Sequence, residues 1–218
     1  MMIFELLFFC FLPPALWIVF IVSLRYLSFF PALRALFFGL GAVLTATGLQ
    51  WALDPLFARI PVSLSLFFTP FIEAALIEES SKLTLIALFF RQKKDSLEAP
   101  PVLSAAFLIG LSFASFETLL YSLSNPSLVF LRSITAVPLH ACASLLCGAF
   151  LLVSRRDSRL LVPAIRYVLP AVVLHGGYNI CMEAGGFFLY PGYFCLIVLV
   201  AFSARIWKTA AKTAELMV

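Results

Sequence analysis

Residues 101–122 read PVLSAAFLIGLSFASFETLLYS, an apolar run whose only charge is Glu117. As a helix rising about 1.5 Å per residue, such a run is about 33 Å long, enough to cross a hydrocarbon core of ~30 Å. It does not alternate, so it is not one of the ten-residue apolar/polar strands of a membrane barrel. Comparable runs, rich in Leu, Phe and Ala, predict further membrane helices near 2–24, 33–53, 62–90, 129–153, 162–183 and 186–207. Polar and Pro clusters separate them at Ser28 to Pro31, Asp54 to Pro61, Gln92 to Pro101 and Ser122 to Ser127, and Gly185 and Gly186 with Pro191 divide the last two. The expectation is an all-α, polytopic bundle of about seven transmembrane helices.

Composition leads to the same place. Of 218 residues, 63% are hydrophobic and 12% charged, and 24 are Phe. Soluble domains are about half apolar and a quarter charged, so this chain has too little polar surface to cover a globule in water. Seven spans of ~20 residues leave room for short connections only, which makes residues 1–218 one transmembrane domain. The net charge of +4 is not a nucleic-acid footprint, because the basic residues sit in small clusters between apolar runs. Cys10, Cys142, Cys147, Cys181 and Cys195 lie inside apolar runs without metal-ligand spacing and read as small packing residues. The first run lacks a basic leader and a cleavage site, so it reads as a retained helix.

The basic clusters orient the bundle. Arg25 and Arg34, then Arg91, Lys93 and Lys94, then Arg155, Arg156, Arg159 and Arg166, then Arg205, Lys208 and Lys212 fall on alternate connections and the tail. The opposite connections hold only Arg59 and Arg132, and Lys82 lies within a helix. Because cytoplasmic loops are enriched in Lys and Arg, the amino terminus is expected outside and the carboxyl terminus in the cytoplasm. Trp51, Tyr190 and Trp207 suit the membrane interfaces.

The informative residues are those that lipid should exclude. Glu73, Glu78, Glu79 and Lys82 lie in the third helix, Glu117 in the fourth, His140 in the fifth, and His175 with Asn179 in the sixth. A charge at mid-bilayer costs about 2.5–3.5 kcal/mol or more, so these groups must face one another or water. Counted from the cytoplasmic helix ends, Glu78, Glu117, His140, His175 and Asn179 all fall about 18–24 Å deep, in one layer beyond the midplane. Lys82 is four residues from Glu78 and three from Glu79, so it reads as their charge partner on one helical face, leaving one carboxylate free to act. His175 and Asn179 share a face, and Gly176 and Gly177 permit close helix approach. Glu73 is expected on a different face from Glu78, since five residues of α-helix turn ~140° away from it. Pro70 is expected to kink the third helix and open the pocket.

Glu-Glu-Ser-Ser-Lys at 78–82, Gly-Leu-Ser-Phe-Ala-Ser-Phe-Glu at 110–117, the isolated His140 in Pro-Leu-His-Ala at 138–141, and His-Gly-Gly-Tyr-Asn at 175–179 resemble, in order, the motifs of the PrsW family of intramembrane proteases. The resemblance spans roughly residues 70–182. More distantly the set is similar to the CAAX-processing and bacteriocin-processing protease superfamily, whose second motif has a histidine where this chain has Glu117. The resemblance implies a catalytic core over approximately 62–183 and hydrolysis of a peptide bond in a membrane-spanning protein, as in regulated cleavage of an anti-sigma factor on its outer side. It implies that Glu78 or Glu79 activates water, that His140 or Glu117 orients it, and that His175 and Asn179 stabilise the oxyanion. A zinc version would draw on His140, His175 and a carboxylate such as Glu117 or Glu79, leaving an open position for water.

Two other readings remain. Buried Glu and His chains also serve proton-coupled transporters or channels, which would be expected to carry inverted repeats, and none is visible here. The same fold could also serve a non-catalytic immunity or scaffold protein. Serine and aspartate intramembrane proteases are excluded, because no G-x-S-x-G lies on a helix and no G-x-G-D occurs. The expected partners are the lipid bilayer and a membrane-spanning protein substrate. Compact loops without organelle targeting point to a bacterial inner membrane.

Overall fold

The computed structural model describes residues 3–91, 97–155 and 159–215, with side chains described as far as residue 210. Among the described residues there are helices and no strands. The helices are α1 (Ile3–Ser23), α2 (Phe29–Phe57), α3 (62–89), α4 (Ala99–Ser124), α5 (Leu128–Ser154, interrupted at Thr135), α6 (Leu161–Ala184) and α7 (Leu189–Glu215). They match the expected spans to within a few residues, apart from α7, which continues beyond residue 207. All except α3 are long and apolar enough to cross a membrane. The exception follows from what α3 carries, since Glu73, Glu78, Glu79 and Lys82 break its apolar run.

α4 and α5 lie at the centre, and the reason is side-chain size. Ser104, Ala105, Ala106, Gly110 and Ala114 on α4 and Ala141, Ala143, Ser144 and Cys147 on α5 are all buried. Small residues let two backbones approach closely where no hydrophobic force separates protein from lipid. The remaining helices surround this pair and present large side chains outward, including Phe4, Phe30, Phe37 and Phe67. Trp51 and Tyr190 are exposed as expected of interface residues, whereas Trp207 turns inward to pack on the rings of Tyr26 and Phe107. Gly185 and Gly186 have φ of 66° and 56°, a left-handed backbone that accounts for glycine at the turn from α6 to α7.

One end of the bundle gathers basic side chains onto helix carbonyls. Arg34 at the start of α2 donates to the Phe89 carbonyl at 3.0 Å and stacks over the Phe89 ring. Arg155 at the end of α5 donates to the Phe90 carbonyl at 3.1 Å. Both guanidinium groups thus satisfy carbonyls that the end of α3 leaves without intrahelical donors. All five cysteines are free thiols, with Cys10, Cys142 and Cys147 buried.

Candidate functional site

The site begins with an irregularity in α3. Val62–Phe68 and Ile77–Phe89 are α-helical, but Thr69–Leu76 between them is π-helical. Pro70, second in that segment, has no N–H and crowds the preceding turn, which favours a shift of the ladder to i→i+5 bonding. A wide turn, rather than a simple kink, is therefore what the proline accompanies. The wider turn also changes the outlook of Glu73. With i→i+5 bonding each residue rotates less than in an α-helix, so Glu73 falls nearer the line of Glu78 than the ideal α-helix would put it. Both line one open cavity of ≈ 320 Å³ between α2, α3 and α4, which corrects the expectation of separate faces.

Behind that cavity, four helices bring together most of the residues singled out by sequence. Glu78, Glu79 and Lys82 come from α3, Glu117 from α4, His140 from α5 and His175 from α6. Apart from Glu117, none of these is more than 6% exposed. Lys82 Nζ donates to Glu79 Oε1 at 2.5 Å and lies 3.0 Å from His140 Nδ1. His175 Nδ1 is 2.8 Å from the same Glu79 Oε1. His140 Nε2 is 2.9 Å from Glu117 Oε2, which also accepts from Arg132 Nη2 at 2.8 Å. The ring of Phe113 closes one side, 4.7 Å from the Lys82 ammonium.

These contacts assign the tautomers. An ammonium only donates, so His140 Nδ1 is the acceptor and its Nε2–H points to Glu117. His175 directs Nδ1–H to Glu79, which leaves Nε2 as its lone-pair nitrogen. Glu78 Oε2 lies 3.7 Å from His175 Nε2 and 3.8 Å from His140 Nδ1, whose lone pair accepts from Lys82. Glu78 Oε2 is buried and has no hydrogen-bond partner. Its other oxygen is reached only by Gln50 Nε2, at 3.5 Å.

This arrangement fits a metal. Ligand atoms of Glu78, His140 and His175 all lie within 4.8 Å of one another, the one such group among the described residues. Two imidazoles and a carboxylate suit zinc, and the far nitrogen of each imidazole is held by a further carboxylate, the support that metal-bound histidines generally have. The carboxylate differs from the expected one. Glu117 and Glu79 stand behind His140 and His175 respectively, and Glu78 stands between the two rings. Helical register explains this: consecutive residues point about 100° apart, so only one of the Glu78–Glu79 pair can face both histidines.

Asn179 is half-buried, one turn beyond His175, and among the described residues its side chain makes no hydrogen bond to the cluster. Gly176 has a different part, since a Cβ there would strike the ring of Phe71 on α3. The missing side chain lets α6 lie against the π-helical segment and carries His175 up to Glu79.

Three contributors are not singled out as site residues in the sequence, and a fourth, Glu73, is expected on another face. Arg132, read as a loop charge, ties Glu117 in place and stacks over Tyr121 at 4.2 Å. Gln50 on α2 donates to the Glu73 carbonyl at 3.0 Å and so braces the π segment. Cys147 places its thiol 3.9 Å from Glu79 Oε2. Gln50 and Arg132 are polar groups next to apolar runs, the one signal that could have marked them.

A family model described as PrsW family intramembrane metalloprotease matches residues 23–205. No curated protein and no solved structure matches the chain significantly.

Proposed function

We propose, from the premise that the chain belongs to the PrsW family of intramembrane metalloproteases, that it hydrolyses a peptide bond of a membrane-spanning protein at Glu78, His140 and His175. The observation that supports this reading best is Glu78 Oε2, a buried carboxylate oxygen without a hydrogen bond, facing one nitrogen of each of two imidazoles at the back of an open cavity. An unsatisfied buried oxygen is costly, and functional sites are where such costs are kept.

His140, His175 and Glu78 would hold zinc, with Lys82 giving up its contact to His140 Nδ1; when bound, the ion would supply Lewis acidity and a water acidified toward neutral pH. Glu78 Oε1, beside Gln50, accepts the proton of the attacking water. Glu117 and Glu79 fix the two imidazoles by accepting from their far nitrogens. Lys82 offsets the charge of Glu79 in a dry interior. Asn179 is an amide donor for the oxyanion of the tetrahedral intermediate. A polar pocket walled off from lipid strengthens each of these interactions.

The substrate in this reading is a single-span protein of the anti-sigma-factor type, cut on the outer side of a bacterial inner membrane. The basic end of the bundle, with Arg34 and Arg155, then lies on the cytoplasmic side. The test is reconstitution in vesicles with a panel of single-span substrates, comparing the wild type with Glu78→Gln, Glu79→Gln and His175→Ala. Cleavage by the wild type that is lost in Glu78→Gln and His175→Ala is the expected result. Cleavage surviving all three changes overturns the site, and proton flux without cleavage makes the chain a transporter.

A further inference from the structure

We propose that Glu73 forms a subsite for a lysine or arginine side chain of the substrate, about two residues from the bond that is cut; this rests on the protease reading above. Glu73 and Glu78 line the same open cavity, because the π-helical turn of Thr69–Leu76 brings both to one side of α3. The other carboxylates of the region have cations or imidazoles to answer them: Glu79 has Lys82 and His175, and Glu117 has Arg132 and His140. The Glu73 carboxylate has no hydrogen bond or ion pair among the described residues, and no lysine or arginine lines the cavity. A half-buried carboxylate at membrane depth with no cation of its own chain is matched by one that arrives with a ligand.

A second observation marks where that ligand reacts. Glu78, nine-tenths buried and with one oxygen unpartnered, lies along the same cavity. Five residues of helix separate Glu73 from Glu78, a rise of about 7 Å, which an extended peptide covers in about two residues at ~3.3 Å each. Thr47, Gln50 and Thr69 line the cavity as well and offer hydroxyl and amide groups to such a peptide's backbone. The ligand is therefore an extended peptide with one basic side chain near the scissile bond, not a free cation or a lipid headgroup.

The test uses the full chain in vesicles and single-span substrates that differ only in carrying Lys, Gln or Glu two positions to either side of the cleaved bond. The readout is the ratio of kcat/KM for paired substrates within each protein. A variant that folds poorly scales both members of a pair and leaves the ratio where it was. In the wild type the Lys substrate is expected to exceed the Gln substrate by about tenfold at one of the two positions, the size of one partly shielded charge pair. Glu73→Gln should bring that ratio close to unity, and Glu73→Lys should invert it in favour of the Glu substrate. A ratio unchanged in Glu73→Gln, or no discrimination by the wild type, overturns the subsite while leaving the protease standing. A wild type that cleaves none of the panel any faster than Glu78→Gln does overturns the protease reading, and the subsite with it.

Discussion

The imidazoles of His140 and His175 meet edge to face, 4.6 Å between ring centroids and 80° between planes. They come from α5 and α6, and each is backed by a carboxylate from a different helix, Glu117 from α4 and Glu79 from α3. The two rings therefore cannot turn independently of the bundle. Holding one nitrogen of each ring toward one point fixes four helices relative to one another, and Glu78 Oε2 lies at that point. Glu78 and Glu79 are adjacent in sequence but opposite in function, one left unsatisfied and the other bonded on all sides.

That contrast separates activity from stability. Glu78→Gln removes the unpartnered carboxylate oxygen, so cleavage should fall by at least about 10²-fold, with little loss of thermal stability relative to the metal-free wild type. Glu79→Gln leaves the fully buried Lys82 ammonium without its counter-charge, and breaking a buried pair from one side costs about 3–5 kcal/mol. Parallel measurement of cleavage rate and melting temperature in detergent checks both. Equal destabilisation by the two substitutions would contradict the assignment of Glu79 as the structural carboxylate.

The Lys82–Glu79 pair makes a second prediction. Lys82→Met alone leaves Glu79 with His175 as its remaining strong partner, and should destabilise the bundle. Lys82→Met combined with Glu79→Gln removes both charges, so the double variant should be more stable than the sum of the single losses by about 1–3 kcal/mol. A double-mutant cycle on unfolding free energies reads this directly, and additivity would show that the two groups do not depend on each other.

Much of this site was legible because lipid makes ionisable residues conspicuous. Glu78, Glu79, Lys82, Glu117, His140 and His175 stand out against apolar runs, and counting helical rise places Glu78, Glu117, His140, His175 and Asn179 in one layer. What could not be read was whatever depended on departures from an ideal α-helix or on direction within a layer. Glu73 was assigned to the wrong face because nothing in the sequence distinguishes π from α turns at Thr69–Leu76. Depth allows Glu117 as a possible metal ligand but says nothing of which side of His140 it approaches, and the structure places it at the Nε2 side. Arg132 was assigned to a connection, whereas it belongs to the short helix Leu128–Ile134 and reaches back to α4.

Metal dependence has a measurable outcome apart from activity. The wild type is expected to hold about one zinc per chain by elemental analysis, and chelation should abolish cleavage and lower the melting temperature, since a ligand bound only to the folded state stabilises it. His140→Ala, His175→Ala and Glu78→Gln should each lose the metal. Glu117→Gln should retain it with about 10–100-fold weaker affinity, the usual cost of losing the group that orients a ligand. A fully active, metal-free preparation would instead leave Glu78 acting on water without an ion.

Arg132 supplies the most discriminating test, because it acts only through Glu117. Its guanidinium donates to Glu117 Oε2 at 2.8 Å, stacks over Tyr121 and touches neither histidine. The pair is 20% and 14% exposed and Glu117 keeps His140 as a partner, so Arg132→Ala should cost about 1–3 kcal/mol of stability, less than breaking the fully buried Lys82–Glu79 pair. Cleavage should also fall, by about tenfold, because Glu117 released from Arg132 no longer holds the Nε2–H of His140 in one direction. Arg132→Lys should recover part of the loss, since an ammonium can pair with the carboxylate but lacks the planar group that stacks on Tyr121. Arg132→Ala combined with Glu117→Gln should cleave no more slowly than Glu117→Gln alone, because once Glu117 has lost its charge Arg132 has nothing left to position. If instead the two losses multiply, Arg132 must reach the substrate by another route.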